Sequence, residues 1–270
     1  MSQLAIAGCG WLGLALAQRL AAKGWQVSGS SRNRDTLAQL TQAGISNSYL
    51  DIGTSVECAE PQRLFQGDTL LINLPPGRHQ QDNDYHQRIL LLAQAAKAQG
   101  ITQALFVSST AVYQDQADCR AVDEQSPLAD SPRAQTMLQA ETVIKSQFER
   151  WQILRPGGLV GGERHPGRFL AGKTDVAGGN APVNMVHRDD LLAAIELLLT
   201  QPQWGKALNV VAPLGVSRAE FYPMAALALG LPAPSFSHQD QPGKRVVAAA
   251  LTELGFTFER ETAAALLATT

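Results

Sequence analysis

Along the first 156 residues, short apolar runs alternate with longer stretches whose apolar positions recur at helical spacing. Residues 4–7 (LAIA) are uniformly apolar and read as a strand buried on both faces. Residues 11–22 follow the helical period, and Gly24 stops that helix. The same reasoning predicts strands over 25–29, 48–50, 69–73, 104–107 and 151–154. Between them it predicts a polar helix over 34–43, a long helix over 84–98 closed by Gly100, and a helix over 131–147. Strands separated by helices of this length require right-handed crossovers, hence a parallel sheet covered on both faces.

After Pro156 the pattern changes. Residues 157–185 are rich in Gly, Pro and basic side chains and read as irregular. A helix over 189–200 and a strand over 207–211 look like a return to the sheet. From Pro213 onward a helix over 218–229, a Pro-rich turn and a short helix over 248–254 complete the chain. The expected architecture is α/β: a Rossmann-type doubly wound parallel sheet over 1–156, rejoined by 186–212. Residues 157–185 and 213–270 would form a smaller C-terminal substrate lobe.

Candidate chemistry begins where the first strand ends. Gly8-Cys9-Gly10-Trp11-Leu12-Gly13 is a GxGxxG run between a strand and a helix. In a dinucleotide site the first Gly permits the tight turn, the second admits the pyrophosphate and the third packs helix on strand. The helix start supplies N–H groups and the positive end of the dipole. At the end of the second strand an NAD site needs a carboxylate for the ribose hydroxyls. Here Ser30-Ser31-Arg32-Asn33-Arg34 offers none before Asp35. A hydroxyl at Ser31 and a guanidinium at Arg32 suit a 2′-phosphate, so NADP(H) is expected ahead of NAD; otherwise the arginines merely open a solvated helix. Asp51-Ile52 after the third strand and Leu74-Pro75 after the fourth stand where backbone passes a bound dinucleotide, or are plain turns.

Composition excludes several classes. Hydrophobic residues make up 45% and charged residues 17%, ordinary for a globular protein, and the net charge of -2 offers no broad nucleic-acid or membrane surface. The three cysteines (Cys9, Cys58, Cys119) lack metal-ligand spacing, so no metal is expected. With no signal-peptide pattern at the start, the expected location is cytoplasmic. Self-association into a homo-oligomer is left open.

Phe106-Val107-Ser108-Ser109-Thr110-Ala111-Val112-Tyr113 resembles the fifth-strand signature of the extended short-chain dehydrogenases/reductases, the NAD-dependent epimerase/dehydratase group. Leu154-Arg155-Pro156-Gly157-Gly158-Leu159-Val160-Gly161, Val186-His187-Arg188-Asp189-Asp190-Leu191, Asn209 and Leu254-Gly255-Phe256 resemble later family marks in the right order. The resemblance covers nearly the whole chain and implies a nucleotide-binding domain followed by a substrate lobe. Two departures stand out. Ala7 occupies the first Gly position of the family's usual GxxGxxG, although Gly8 restores the dinucleotide pattern. More serious, aligning on Pro132 and Glu141 puts Arg133 where the family has its catalytic Tyr and Met137 where it has the Lys. A guanidinium with a pKa above ~12 shuttles no protons, and a thioether tunes nothing electrostatically.

Three residues are candidates to replace that pair. Ser109 matches the family's Ser/Thr position and would bond a substrate oxygen, or else only ends the strand. Tyr113 would be an acid, or a support for its loop. His187 would titrate near neutrality, or cap the helix that follows. Arg164, His165, Arg168 and Lys173 would clamp a phosphate or carboxylate, or form a solvated basic loop. The expectation is an NADP(H)-dependent oxidoreductase or epimerase acting on a small anionic substrate. Its rival is a redox sensor or scaffold that binds NADP(H) without turnover.

Overall fold

A computed structural model of the chain describes residues 2–77 and 84–268. In chain order the elements are β1 (Gln3–Ala7), α1 (Trp11–Ala22), β2 (Gln26–Ser31), α2 (Arg34–Gln42), β3 (Ser46–Ile52), β4 (Val56–Cys58), α3 (Pro61–Leu64), β5 (Thr69–Ile72) and α4 (Tyr85–Ala98). Next come β6 (Gln103–Val107), a 3₁₀ turn (Thr110–Val112), β7 (Ala121–Val122), α5 (Pro132–Gln147), β8 (Arg150–Pro156), β9 (Gly158–Val160) and α6 (Gly167–Leu170). The last are β10 (Met185–His187), α7 (Arg188–Thr200), β11 (Lys206–Val210), α8 (Arg218–Leu227), β12 (Arg245–Val246), α9 (Ala249–Glu253) and α10 (Ala263–Leu267).

Eight strands form one sheet in the order β11-β8-β6-β5-β1-β2-β3-β4. The pairs β1–β2, β2–β3, β1–β5, β5–β6 and β6–β8 are parallel, as the alternation of strands and helices predicts. The central strands are apolar on both faces because helices cover both. Leu4, Ile6, Leu70, Leu71, Leu105 and Phe106 are all 0% exposed. From β1 the chain progresses outward through β2 and β3, then returns to β5 on the other side, so the strand order reverses between β1 and β5. In such sheets the ligand crevice opens at the carboxyl ends of the strands flanking that reversal. The β4 strand was not legible in the sequence. It pairs antiparallel with β3 through only three residues, too few for a periodic signal.

The chain divides into two compact units. The first holds the residues up to Ser108, Ser131–Leu154 and Pro202–Ala207; the second holds Ser109–Asp130, Arg155–Gln201 and the residues from Leu208 onward. The expected division put 109–130 and 186–212 with the nucleotide domain, and the structure differs. Residues 109–130 join the second unit because β7 pairs with β12 and Gln116 bridges to Gly243. Residues 186–201 join it because β10 pairs with β9. The segment expected to be irregular therefore contains β9, α6 and the start of β10. Among the described residues, no helix is long and apolar enough to cross a membrane, and no cluster of three His, Cys, Asp or Glu could hold a metal ion.

Candidate functional site

In the first unit the glycine loop leaves β1 at the point where the strand order reverses. Gly8 has φ +100°, a backbone region that favours glycine, and a Cβ there would stand 2.5 Å from the Asn73 carbonyl oxygen. Asn73, just beyond β5, donates its side-chain amide to the Gly8 carbonyl at 3.1 Å, so the loops after β1 and β5 are stitched together. Gly13 lies in α1 against the loop, where a Cβ would stand 2.3 Å from the Gly8 oxygen. Gly10 is different in kind. A Cβ at Gly10 meets nothing within 4 Å, so the protein leaves open space at the helix start. No side chain caps α1 at Gly10, and its first turn, which begins at Trp11-Leu12, carries no acidic residue. Two glycines required for close packing and one facing open space match the division of roles a pyrophosphate loop needs.

Cys9 packs inward. It has no exposed surface, and a Cβ on Gly29 of β2 would stand 2.6 Å from its sulfur. Burial pushes its thiol pKa up to about 12, against a smaller opposing effect from its backbone hydrogen bond at Ser30, so it is inert as a nucleophile.

The other predicted contact positions cluster at the same strand ends. β2 runs two residues further than its apolar pattern indicated, which places Ser31 on the strand end and Arg32 just beyond. The Ser31 hydroxyl accepts the Asn33 N–H at 3.1 Å, and Asn33 caps α2. Arg32 is 73% exposed in its side chain and lies 3.4 Å from an Asp51 oxygen at the end of β3. Asp51 also accepts the Ile52 N–H at 3.0 Å, while Ile52 is buried. Leu74 lies against the Gly8 turn and its carbonyl accepts the buried Tyr85 hydroxyl at 2.6 Å, whereas Pro75 is exposed. All of these stand on the first unit's sheet edge. Asn73 and Ser30 were missed as loop-holding residues, although a polar side chain closing the apolar run Leu70-Leu71-Ile72 was a readable signal for Asn73. The Ser30 hydroxyl accepts the Gly8 N–H at 3.3 Å.

In the second unit each acid/base candidate is engaged structurally. Ser109 is half-buried and accepts the Ala111 N–H at 3.1 Å, opening the 3₁₀ turn while its own proton stays available to donate. Tyr113 is 1% exposed. Its hydroxyl donates to Asn209 Oδ1 at 2.7 Å and accepts from Arg155 Nη1 at 2.8 Å. Burial raises its pKa, with the charge of Arg155 opposing, so the phenol is held neutral in a closed network. The Asn209 N–H donates to Glu124 and its side-chain amide to the Val247 carbonyl, which ties three loops to this one polar core. Arg155 and Asn209 were quoted only as family marks, and the signal that they are structural was the burial of both.

His187 is 3% exposed and caps α7, its Nδ1 accepting the Asp189 N–H at 3.1 Å. Nε2 is buried without a hydrogen-bond partner and faces Gly161, where a Cβ would stand 2.5 Å from it. Burial lowers its pKa, Arg260 adds to that, and Asp189 opposes it. The acidic pair beyond it is also structural: Asp190 accepts the backbone N–H groups of Glu259 and Arg260 at 2.9 and 3.3 Å.

Arg164, Arg168 and Lys173 are exposed. His165 is half-buried, accepting the Gly167 N–H through Nδ1 at 3.1 Å while Nε2 lies 3.4 Å from the Leu267 carbonyl. Gly167 sits so tightly on α8 that a Cβ would stand 2.1 Å from the Ala225 oxygen. The second unit instead holds a cavity of about 750 Å³ between Asn180–Asn184, the loop after β11 and the segment from β12 to Phe258, and none of the four lines it.

The profile of the NAD(P)H-binding family matches residues 8–202. The Escherichia coli (strain K12) protein YeeZ is 35% identical over 275 residues, with 96% of each chain covered. The human epimerase family protein SDR39U1, solved with NADPH, superposes with a TM-score of 0.73 at 20% identity, over 99% of this chain and 98% of that one. The UDP-glucuronic acid 4-epimerase of Bacillus cereus, solved with NAD, gives a TM-score of 0.77 at 17% identity over 100% and 97%. The glycine loop lies inside the matched segment. The chain belongs to the NAD(P)H-binding family, with the fold of the extended short-chain dehydrogenases/reductases of the epimerase/dehydratase group.

Proposed function

We propose that the chain is an NADP(H)-dependent oxidoreductase or epimerase acting on an anionic small molecule. The observation that carries the cofactor choice is the end of β2, where Ser31 and an exposed Arg32 guanidinium stand in place of a ribose-binding carboxylate. Gly8, Gly10 and Gly13 with the start of α1 would hold the pyrophosphate, Ser31 and Arg32 the 2′-phosphate, and Asp51, Ile52, Leu74 and Pro75 the flanks. When bound, the nicotinamide supplies hydride chemistry. Arg133 and Met137, which align with the family's Tyr and Lys, would supply no acid/base pair, since a guanidinium shuttles no proton and a thioether carries no charge. Ser109 retains a proton to donate to a substrate oxygen.

The test is a titration. NADPH should bind at least several-fold tighter than NADH, and Arg32→Ala should narrow that gap without unfolding the protein, since exposed ion pairs contribute only ~0–1 kcal/mol. Equal affinities for the two cofactors refute the assignment. One observation favours a second reading, an NADP(H)-binding sensor or scaffold without turnover: Tyr113 and His187 are both committed to the fold. NADPH oxidation across aldehydes, ketones and nucleotide sugars separates the two readings. Turnover lost in Ser109→Ala with NADPH affinity intact supports the enzyme.

A further inference from the structure

We infer that the cavity of the second unit binds a largely apolar small molecule bearing a single carboxylate, anchored by Arg245, and that it rejects nucleoside diphosphates. This rests on the small-molecule reading above and names the substrate class. At about 750 Å³ the cavity is of the size that encloses ligands of ~20–30 heavy atoms or fewer. Its walls are mainly aliphatic and aromatic: Val183, Val211, Leu214, Val216, Val246 and Phe258 all line it.

Most of its polar side chains are already committed. Asn184 donates to the Lys244 carbonyl and accepts the Val246 N–H, each at 2.8 Å. Asn180 accepts the Gln241 N–H at 3.2 Å and donates to the Gln241 carbonyl at 3.5 Å. Ser217 and Glu220 are locked together as the capping box of α8, with Glu220 accepting both the Ser217 N–H and its hydroxyl. Thr252 donates to the Ala248 carbonyl at 3.0 Å.

Arg245 remains. Among the described residues it is the only cation lining the cavity, and its guanidinium has no ion pair or hydrogen bond there. Two carboxylates, Glu220 and Glu253, share the lining with it. One guanidinium matches one carboxylate by a paired hydrogen bond. A diphosphate would bring two or more negative charges to a wall with one cation and two anions. Binding energy must then come from apolar contact, with Arg245 fixing the orientation.

Isothermal titration of the full chain, with and without NADPH, tests this using 4-phenylbutyrate, its neutral amide 4-phenylbutyramide, and uridine diphosphate. Phenylbutyrate should bind tightest, about ten-fold or more above the amide, the range expected for one charged hydrogen-bonded pair. Arg245→Gln alters an exposed side chain, so the fold should survive, and it should erase the difference between acid and amide. Leu214→Trp should weaken both by filling the cavity. Uridine diphosphate binding tighter than the acid, equal affinities of acid and amide, or no binding of either at ~10 mM would each overturn the assignment. NADPH binding is read separately: a chain that binds NADPH but no acid fails this inference alone, whereas one that binds the acid but no NADPH fails the cofactor reading alone.

Discussion

Gly10 and Gly13 look equivalent in a GxGxxG pattern, yet the structure predicts opposite consequences for them. At Gly10 a new Cβ meets nothing within 4 Å. Gly10→Val therefore costs the fold only the difference between a good and a poor helix N-cap, about 0.5–1 kcal/mol. For a chain of this size that is a shift of about 2–4 °C in Tm. The branched side chain fills the space where a pyrophosphate must lie, so cofactor binding should disappear. At Gly13 the new Cβ would stand 2.3 Å from the Gly8 carbonyl oxygen, a backbone atom with no rotamer to relieve the overlap. Overpacking of this kind costs about 1–3 kcal/mol. Replacing a helical Gly by Ala returns up to ~1 kcal/mol of propensity. Gly13→Ala should therefore be net destabilised while Gly10→Val is nearly neutral. Thermal melts with and without NADPH read both effects at once, because a ligand at a hundred times its Kd adds about 2.7 kcal/mol to the folded state. The wild type should show that stabilisation, and Gly10→Val should show almost none from a near-native starting Tm. If Gly10→Val keeps the full NADPH shift, or unfolds as readily as Gly13→Ala, the phosphate site has been placed wrongly.

Tyr113→Phe should cost about 1–3 kcal/mol in urea denaturation, because it removes two buried hydrogen bonds, one of them from a charged group, and NADPH affinity should not change. Unchanged stability with lost turnover would instead make Tyr113 a chemical participant. His187 has its pKa lowered in the fold, so the unfolded chain binds its proton more readily. The stability it contributes is complete above the unfolded value of about 6.5 and is lost as pH falls toward the folded value. His187→Asn preserves a capping side chain and removes the titration, so its melts should show a flatter decline from pH 7 to pH 5 than the wild type. An equally steep decline would assign the acid sensitivity to another group.

The sheet was legible because its strands are short, apolar on both faces and separated by periodic helices. The strand boundaries were less so. At β2 the apolar signal stops at Gly29, while hydrogen bonding to β3 continues through Ser30 and Ser31. Ser31 is polar and only half-buried at the strand's end, so it is a residue the hydrophobic pattern discards. The second unit was harder to read. Its short strands pair across the sequence: β7 with β12, β9 with β10, each with two or three residues. Pairings that short carry no periodicity, and their partners stand up to 124 positions apart, as for Ala121 and Arg245.

Motif reading also assigns chemistry to residue types, whereas the fold assigns them by what else must be satisfied. The start of a helix or 3₁₀ turn leaves backbone N–H groups that need acceptors, and His187 and Ser109 each supply one. A buried guanidinium needs a partner, and Tyr113 provides it from 42 positions away in the chain. Each demand is local to the folded molecule and invisible along the sequence, so three titratable or hydroxylic residues near the family's reaction centre could all be read as acid/base candidates. Four basic residues within ten positions look like a clamp in the sequence. In the fold His165 accepts its neighbour Gly167's N–H, while Arg164, Arg168 and Lys173 have exposed side chains. Arg245, which follows Lys244 and precedes Val246-Val247, is the cation in the lining of the second unit's cavity. An exposed guanidinium beside an apolar wall leaves most of the binding energy to apolar contact and acts on a ligand through the geometry of its paired hydrogen bonds, which fix the carboxylate end at one side of the cavity.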